Sequence, residues 1–570
     1  MYIFIANILI LRIVSCVRYF SSLHGSLIIT CMGFNMTCNN KFMKVFKTPL
    51  FDSEMKYHIS KRDYIDLTIK RMRVIFQEKL IHNDMWLGQK NEDEFNELCE
   101  GIGLIGAFDH SLAISISSHM ICGNVMFTQS DNIQMDKYHD EVNNLNCIYS
   151  MCCSEIANGT NVKNLETTVT YDHKQKNLLL HSPSPGSCKF WIGNALYTAS
   201  VGMVLARLIV NGIDHGPHWF RVPLRDKDDG VLFPGINIIS VGPEGGMHGI
   251  QMAAIRFNQV SIPLDAMLQR YSSICEEGKY HCEMEEPLRY INLFETFLQE
   301  RLIPLYMLIK SSATALNITF RYAQNRIISH EPMCKKLIME PLFCQRLYPE
   351  LLKSAMIMIL GKIIIRGFEN SWGNKNTYKD LQILASAGKY IGTSLGLDVL
   401  RECRLMCGAL GFHHYNKIIT LQVDAEAALT YAGENSVMSY QIAKHMVRKK
   451  RFNNSMIVPV NLAQEVEKKV VADCQQNPLS HAAAQVLSYS YGLDLVIQEV
   501  QSSGVLESEL LLDLINVLSP YLSETSNPPV PTVKKITDLV NFISPPSELV
   551  TAPIVRADYA DIFTSELYTE

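Results

Sequence analysis

NLETTVTYDHKQKNLLLHSPSPGSCKFWIGNAL (Asn164–Leu196) breaks period with the sequence on either side of it. "ETTVTYD" and "NLLLHS" read as two short strands about the polar turn His173–Lys176, the pattern of a hairpin. "MVLARLIV", "HWFRVPL", "GINIIS" and "QMAAIRFNQVSI" follow, with Gly, Pro and Asp between them. Short strands at this spacing predict an antiparallel barrel or sandwich over residues 144–268.

The flanks read as helices. Before the strand block, Ile65, Ile69, Met72, Ile75 and Phe76 recur every three or four residues, which predicts a helical domain over 55–143. Within it, Gly101–Gly106 spells GxGxxG. A dinucleotide fold needs a strand before that motif, but "EDEFNELCEG" reads as helix, so the glycines are expected to form a loop between helices. After the strand block, helical patterns at 293–322, 347–367, 377–407 and 436–449 predict a bundle over 269–450. Helices resume in 460–523, within a last domain over 451–570, with "SETSNPPVPT" (Ser523–Thr532) as a surface linker. Residues 1–54 are set apart as an N-terminal extension. Its apolar run Ile3–Val17 is broken by Asn7 and Arg12 and is too short for a good span, so no stable membrane insertion is expected. The fold class is α+β, mostly α.

Composition narrows the function. The 570 residues are 47% hydrophobic and 19% charged, which are globular values. A net charge of −5 lacks the basic surplus that nucleic-acid binding requires. Sixteen cysteines without a CxxC pair suit a reducing compartment. Cys147, Cys152 and Cys153 cluster, but zinc wants four spaced ligands, so no metal is expected.

The Leu-Glu-Thr-Thr strand, Tyr-Asp turn, Ser-Pro pair and Lys-aromatic-Trp-x-Gly segment of Asn164–Leu196 resemble the middle domain of the acyl-CoA oxidases. "LMCGALGFHHY" is similar to that family's glycine loop, and "TYAGENSVMSYQIAKHMVR" to the turn and helix after it. Leu539–Thr564 resembles the oxidase-specific tail. The resemblance implies an acyl-CoA dehydrogenase-like fold: helical domain, β-domain, helical bundle and oxidase-type C-terminal helical domain. It implies a homodimer that uses FAD to desaturate a fatty acyl-CoA to the trans-2-enoyl-CoA, with oxygen reduced to hydrogen peroxide. The family also implies the peroxisome, although Tyr568-Thr-Glu570 is not a Ser-Lys-Leu type signal. Two other readings stand beside this one: an inactive flavin- or acyl-CoA-binding homologue, and a dehydrogenase with a protein electron acceptor.

Site residues carry over on matching positions. Ser154 stands where the family places a hydroxyl donor to the flavin, and Gly193 where a side chain would block close approach. Arg326, closing "FRYAQNR", matches an arginine that contacts the FAD pyrophosphate, a role that suits a bidentate guanidinium. Gly408 and Gly411 match the loop that reaches a neighbouring subunit's flavin. The family's catalytic Glu is absent: after Tyr431 comes Ala432, which cannot take a proton. Leu298-Gln-Glu-Arg-Leu302 resembles the helical segment that supplies the base in isovaleryl-CoA and long-chain acyl-CoA dehydrogenases. Tyr322 follows Glu300 by 22 residues and Arg326 comes four later, as in those relatives. Glu300 is therefore the expected base, with Glu434 a weaker candidate at a helix start.

Overall fold

Side-chain caps and apolar spacing define the first helices. In the computed structural model they are α1 (Met36–Phe46), α2 (Lys61–Gln77), α3 (Glu92–Phe108), α4 (His110–Gln129) and α5 (Asn132–Asn143). The structure describes residues 36–86, 92–330, 334–374, 377–449, 481–503, 508–518, 533–546, 549–550 and 555. Ser60 caps α2 by accepting the Asp63 amide. Asp109 caps α4 through the Ser111 and Leu112 amides. Asp131 and Gln134 close a capping box at α5. Ile65, Ile69, Met72, Ile75 and Phe76 are all buried on α2, as their spacing requires.

The GxGxxG motif is not a loop. Gly101, Gly103 and Gly106 lie inside α3. A Cβ on Gly103 would come within 2.8 Å of the Tyr306 carbonyl oxygen, and one on Gly106 within 2.7 Å of Met307 Cγ. The glycines let α3 seat against α8 (Leu302–Asn325) with almost no gap. Helix–helix contact, invisible to local propensity, overrides the cost of glycine in a helix.

The middle of the chain is β. β1 (Tyr149–Cys152), β2 (Thr168–Asp172), β3 (Asn177–His181), β5 (Val201–Val210), β6 (Ile213–Pro223) and β9 (Val260–Ile262) form one sheet. β4 (Lys189–Gly193), β7 (Ile236–Ser240) and β8 (Met252–Phe257) form a second. The predicted hairpin is present as β2–β3, Thr168 opposite His181. Pairing is not purely antiparallel, however. β1 and β2 both run parallel to β5, one at Val201–Val204 and the other at Arg207–Ile209. They lie end to end along one edge of the ten-residue β5, separated by the excursion 153–167. A strand that leaves an edge and rejoins it keeps its direction, and alternation in sequence does not report direction.

After a short hairpin, β10 (Ser272–Ile274) and β11 (Tyr280–Cys282), come α6 (Glu286–Leu293) and α7 (Thr296–Glu300). The long helices are α8, α9 (Pro341–Ser371), α10 (Tyr378–Met406) and α12 (Asn435–Arg448), with α11 (Ile418–Glu426) between the last two. α8 is buried on every face from Leu302 to Phe320, which makes it the axis of the bundle. α13 (His481–Ser503), α14 (Ser508–Leu518) and α15 (Val533–Ile543) pack against α9 and α12. The extension to residue 35, the 523–532 linker and the tail from 556 lie outside the described residues. Among the described residues, no helix is long and apolar enough to cross a membrane.

Candidate active site

The excursion between β1 and β2 is pinned by Glu155. Its carboxylate accepts the Glu166 and Thr167 amides at 2.8 and 2.9 Å and the Thr167 hydroxyl at 2.6 Å. Lys189 Nζ completes the set at 3.2 Å and also donates to the Cys153 and Leu205 carbonyls. Burial alone would raise the Glu155 carboxyl, but Lys189 and these donors hold it below its ordinary value. The anchored loop lies along β4: Phe190 N donates to Ser154 O at 3.0 Å, and Glu155 bridges Lys189. Ser154 thus stands opposite the end of β4 that carries Trp191 and Gly193. Its hydroxyl makes no hydrogen bond to the described residues.

Trp191 is 60% exposed and has φ +61°, a left-handed backbone that a tryptophan adopts only under constraint. Gly193 is buried, and its carbonyl accepts from Ser150 Oγ at 2.8 Å. A Cβ there would lie 2.8 Å from Ser118 Oγ of α4. Bare backbone at 193 therefore serves packing against α4. One turn along α4, Cys122 donates back to the Ser118 carbonyl at 3.1 Å and lies close enough to Glu300 to feel its charge.

Glu300 ends α7, and Arg301 joins it to α8. Glu300 is half-buried: water touches part of the residue while protein crowds the carboxyl on most sides. Burial pushes the carboxyl up to about 7, and Arg301 only partly opposes it. Cys122, Cys153 and Tyr431 feel its charge. Tyr431 OH reaches Met307 Sδ at 3.8 Å, near the same end of α8. So α4, the β1 exit, α7 and the Tyr431–Ala432 turn converge on Glu300. Ala432 itself has φ +53°.

Glu434 has another job. Its carboxylate accepts the Ser436 and Val437 amides at 3.0 and 3.1 Å and caps α12. Burial would raise it, but these donors and Lys389 hold it low. A carboxylate so engaged is a poor proton acceptor. Sequence reasoning overlooked Arg301, Trp191 and Lys389. The only signal for Lys389 was a lysine set among the small residues of "ASAGKYIGTSLG".

The expected site residues fall into two groups. Ser154, Gly193 and Glu300 surround the first end of α8. Arg326 lies exposed at the other end, beyond a 24-residue helix that is roughly 36 Å long. Gly408 and Gly411 join Arg326's end, because the preceding Cys407 contacts Thr319 of α8 at 3.5 Å. Gly408 is exposed with φ +60°, while a Cβ on buried Gly411 would strike the Arg404 carbonyl.

The model of the acyl-CoA oxidase C-alpha1 domain matches residues 294–447, a span holding Glu300, Arg326, the glycine loop and Ala432. Acyl-coenzyme A oxidase 4 of Candida tropicalis is 28% identical over 412 residues, 68% of this chain and 57% of that one. The chain is similar to the acyl-CoA oxidases. Mouse peroxisomal acyl-coenzyme A oxidase 2 is 28% identical over 361 residues, 62% of this chain and 52% of that one. The match thus spans only a little over half the length of these oxidases. The fold extends the likeness. The structure of acyl-CoA oxidase-2 from Caenorhabditis elegans, bound with FAD, ascaroside-CoA and ATP, superposes with TM-score 0.73. It is 20% identical and covers 94% of this chain and 90% of that one.

Proposed function

We propose that the chain is an FAD-dependent acyl-CoA oxidase acting as a homodimer. Its substrate is a fatty acyl-CoA, and its products are the trans-2-enoyl-CoA and hydrogen peroxide. The observation that carries this reading is Glu300, a crowded carboxyl raised to about 7 beside the Tyr431–Ala432 turn. Removing an α-proton calls for a base poised near the working pH and shielded from water. Glu300 takes the proton, and Arg301 steadies the charge on its carboxylate before the transfer. Ala432 leaves room where a second carboxylate would raise the pKa of the pair.

Ser154 and Trp191 fit an isoalloxazine ring: they offer a hydroxyl free to donate and an uncovered indole, whereas buried Gly193 only lets this strand end seat on α4. A flavin bound there would supply the acceptor for the β-hydride and the route of its electrons to oxygen. FAD and CoA in the related nematode structure support this choice of ligands. The homodimer is supported by the split site. Arg326 and Gly408–Gly411 stand a helix length from Glu300, so a second copy is the means to bring such a set to the first copy's flavin. The name of the mouse relative supports the peroxisome.

The test is to purify the protein, titrate FAD, and add saturated acyl-CoAs of several lengths under air while following peroxide. Yellow protein that releases peroxide supports the reading. Ala432, which leaves the turn without a carboxylate, favours a second reading, an inactive binding homologue. Protein that binds FAD and acyl-CoA but never bleaches, with or without oxygen, would be that homologue.

A further inference from the structure

The turn beside Glu300 is gripped by a residue with no part in the chemistry proposed above. Lys389, midway along α10, is fully buried. Its ammonium donates to the Leu429 carbonyl at 3.0 Å, to Asn435 Oδ1 at 2.6 Å and to the Gly433 carbonyl. Three donors meet three acceptors. The acceptors bracket the loop, one before Tyr431 and two after Ala432. Asn435 is fixed in turn, its Nδ2 donating to the Thr393 and Ser394 hydroxyls at 3.0 Å each. α10 therefore holds the turn at two successive levels.

Between these anchors lie two consecutive left-handed residues, Ala432 at φ +53° and Gly433 at φ +102°. Glycine takes that conformation freely, but alanine does so only where its surroundings over-determine it. Burial of the ammonium opposes its charge and brings the Lys389 pKa down to about 7, with Glu434 countering and Arg301 reinforcing. Burying a lysine here is costly, and all three of its hydrogen bonds fall on one seven-residue turn.

We infer that Lys389 is a positioning residue that locks the Tyr431–Ala432 turn in its left-handed form and so fixes the wall of the site beside Glu300. Its effect on turnover rests on Glu300 being the base, whereas the clamp itself does not.

Four proteins test it: wild type, Lys389→Met, Ala432→Gly and the double variant. Lys389→Met lowers kcat about 10–100-fold, the scale of a slight misplacement, while KM moves much less. Glycine at 432 accepts a positive φ without help, so the double variant recovers to near the rate of Ala432→Gly alone. The thermal midpoint follows the same coupling: Lys389→Met costs less in the Ala432→Gly background. Should Lys389→Met fail to fold, Lys389→Gln, which keeps one donor group, takes its place. A double variant as slow as Lys389→Met, or Lys389→Met with wild-type kcat, overturns the role in catalysis. If wild type never turns over, the oxidase reading fails by itself. The midpoints then decide the clamp, and strictly additive losses contradict it.

Discussion

Glu300 and Glu434 flank one turn, and their surroundings push them in opposite directions. Protein crowds the Glu300 carboxyl and only Arg301 opposes the effect, so it is pushed up to about 7. Glu434 accepts two helix amides and is held ionised. Two predictions follow from that contrast. Turnover rises with pH through about 7 as Glu300 ionises. Arg301 is the group that lowers the Glu300 pKa, so Arg301→Gln moves this limb to higher pH, read from kcat against pH. Glu434→Gln weakens the cap and lowers stability by about 0.5–2 kcal/mol in thermal melts, while the limb stays in place. Glu300 was singled out in the sequence by its spacing to Tyr322 and Arg326, a local pattern that runs from the end of α7 along α8 to the residue just past it. Lys389 was not, because its partners lie 40 to 46 residues away in the chain, outside its own helix.

At the scale of elements, the glycines of α3 show what a local motif conceals. In an isolated helix Gly→Ala stabilises by about 0.5–1 kcal/mol. Gly103→Ala is predicted to do the reverse here, because its Cβ would press on the Tyr306 carbonyl and on Lys310 Cγ, both at 2.8 Å. Overpacking of this kind costs about 1–3 kcal/mol, seen as a lower thermal midpoint. A midpoint that rises would mean α3 and α8 can separate freely. The long helices were readable from their spacing and length: α10 and α12 each bury an apolar face, while α8, buried all round, is a long apolar run. Strand direction was not, because alternation in β1 and β2 is the same whether β5 runs with them or against them. Only the 153–167 excursion reveals it, and its anchor, the buried Glu155–Lys189 pair, joins residues that local patterns treat separately.

The molecule as a whole is organised about α8, with Glu300 at one end and the exposed Arg326 at the other. Sequence reasoning gathered six site residues into one list, whereas folding distributes them between two ends of a helix. That separation gives Arg326 a distinct signature. Arg326→Ala is predicted to weaken FAD binding by about 1.5–3 kcal/mol, the loss of a charged hydrogen bond, with the pH limb of the remaining holoenzyme unchanged. Equilibrium FAD titration checks the first part and a pH profile the second. The central claim is that Glu300 replaces the carboxylate missing at Ala432. Its most direct test is anaerobic bleaching of the bound flavin by acyl-CoA in wild type, Glu300→Gln and the double variant Glu300→Gln with Ala432→Glu. The account predicts that Glu300→Gln still binds FAD and acyl-CoA but bleaches about 10²–10⁴-fold more slowly, and that the double variant regains part of the rate. Glu300→Gln bleaching as fast as wild type would contradict it.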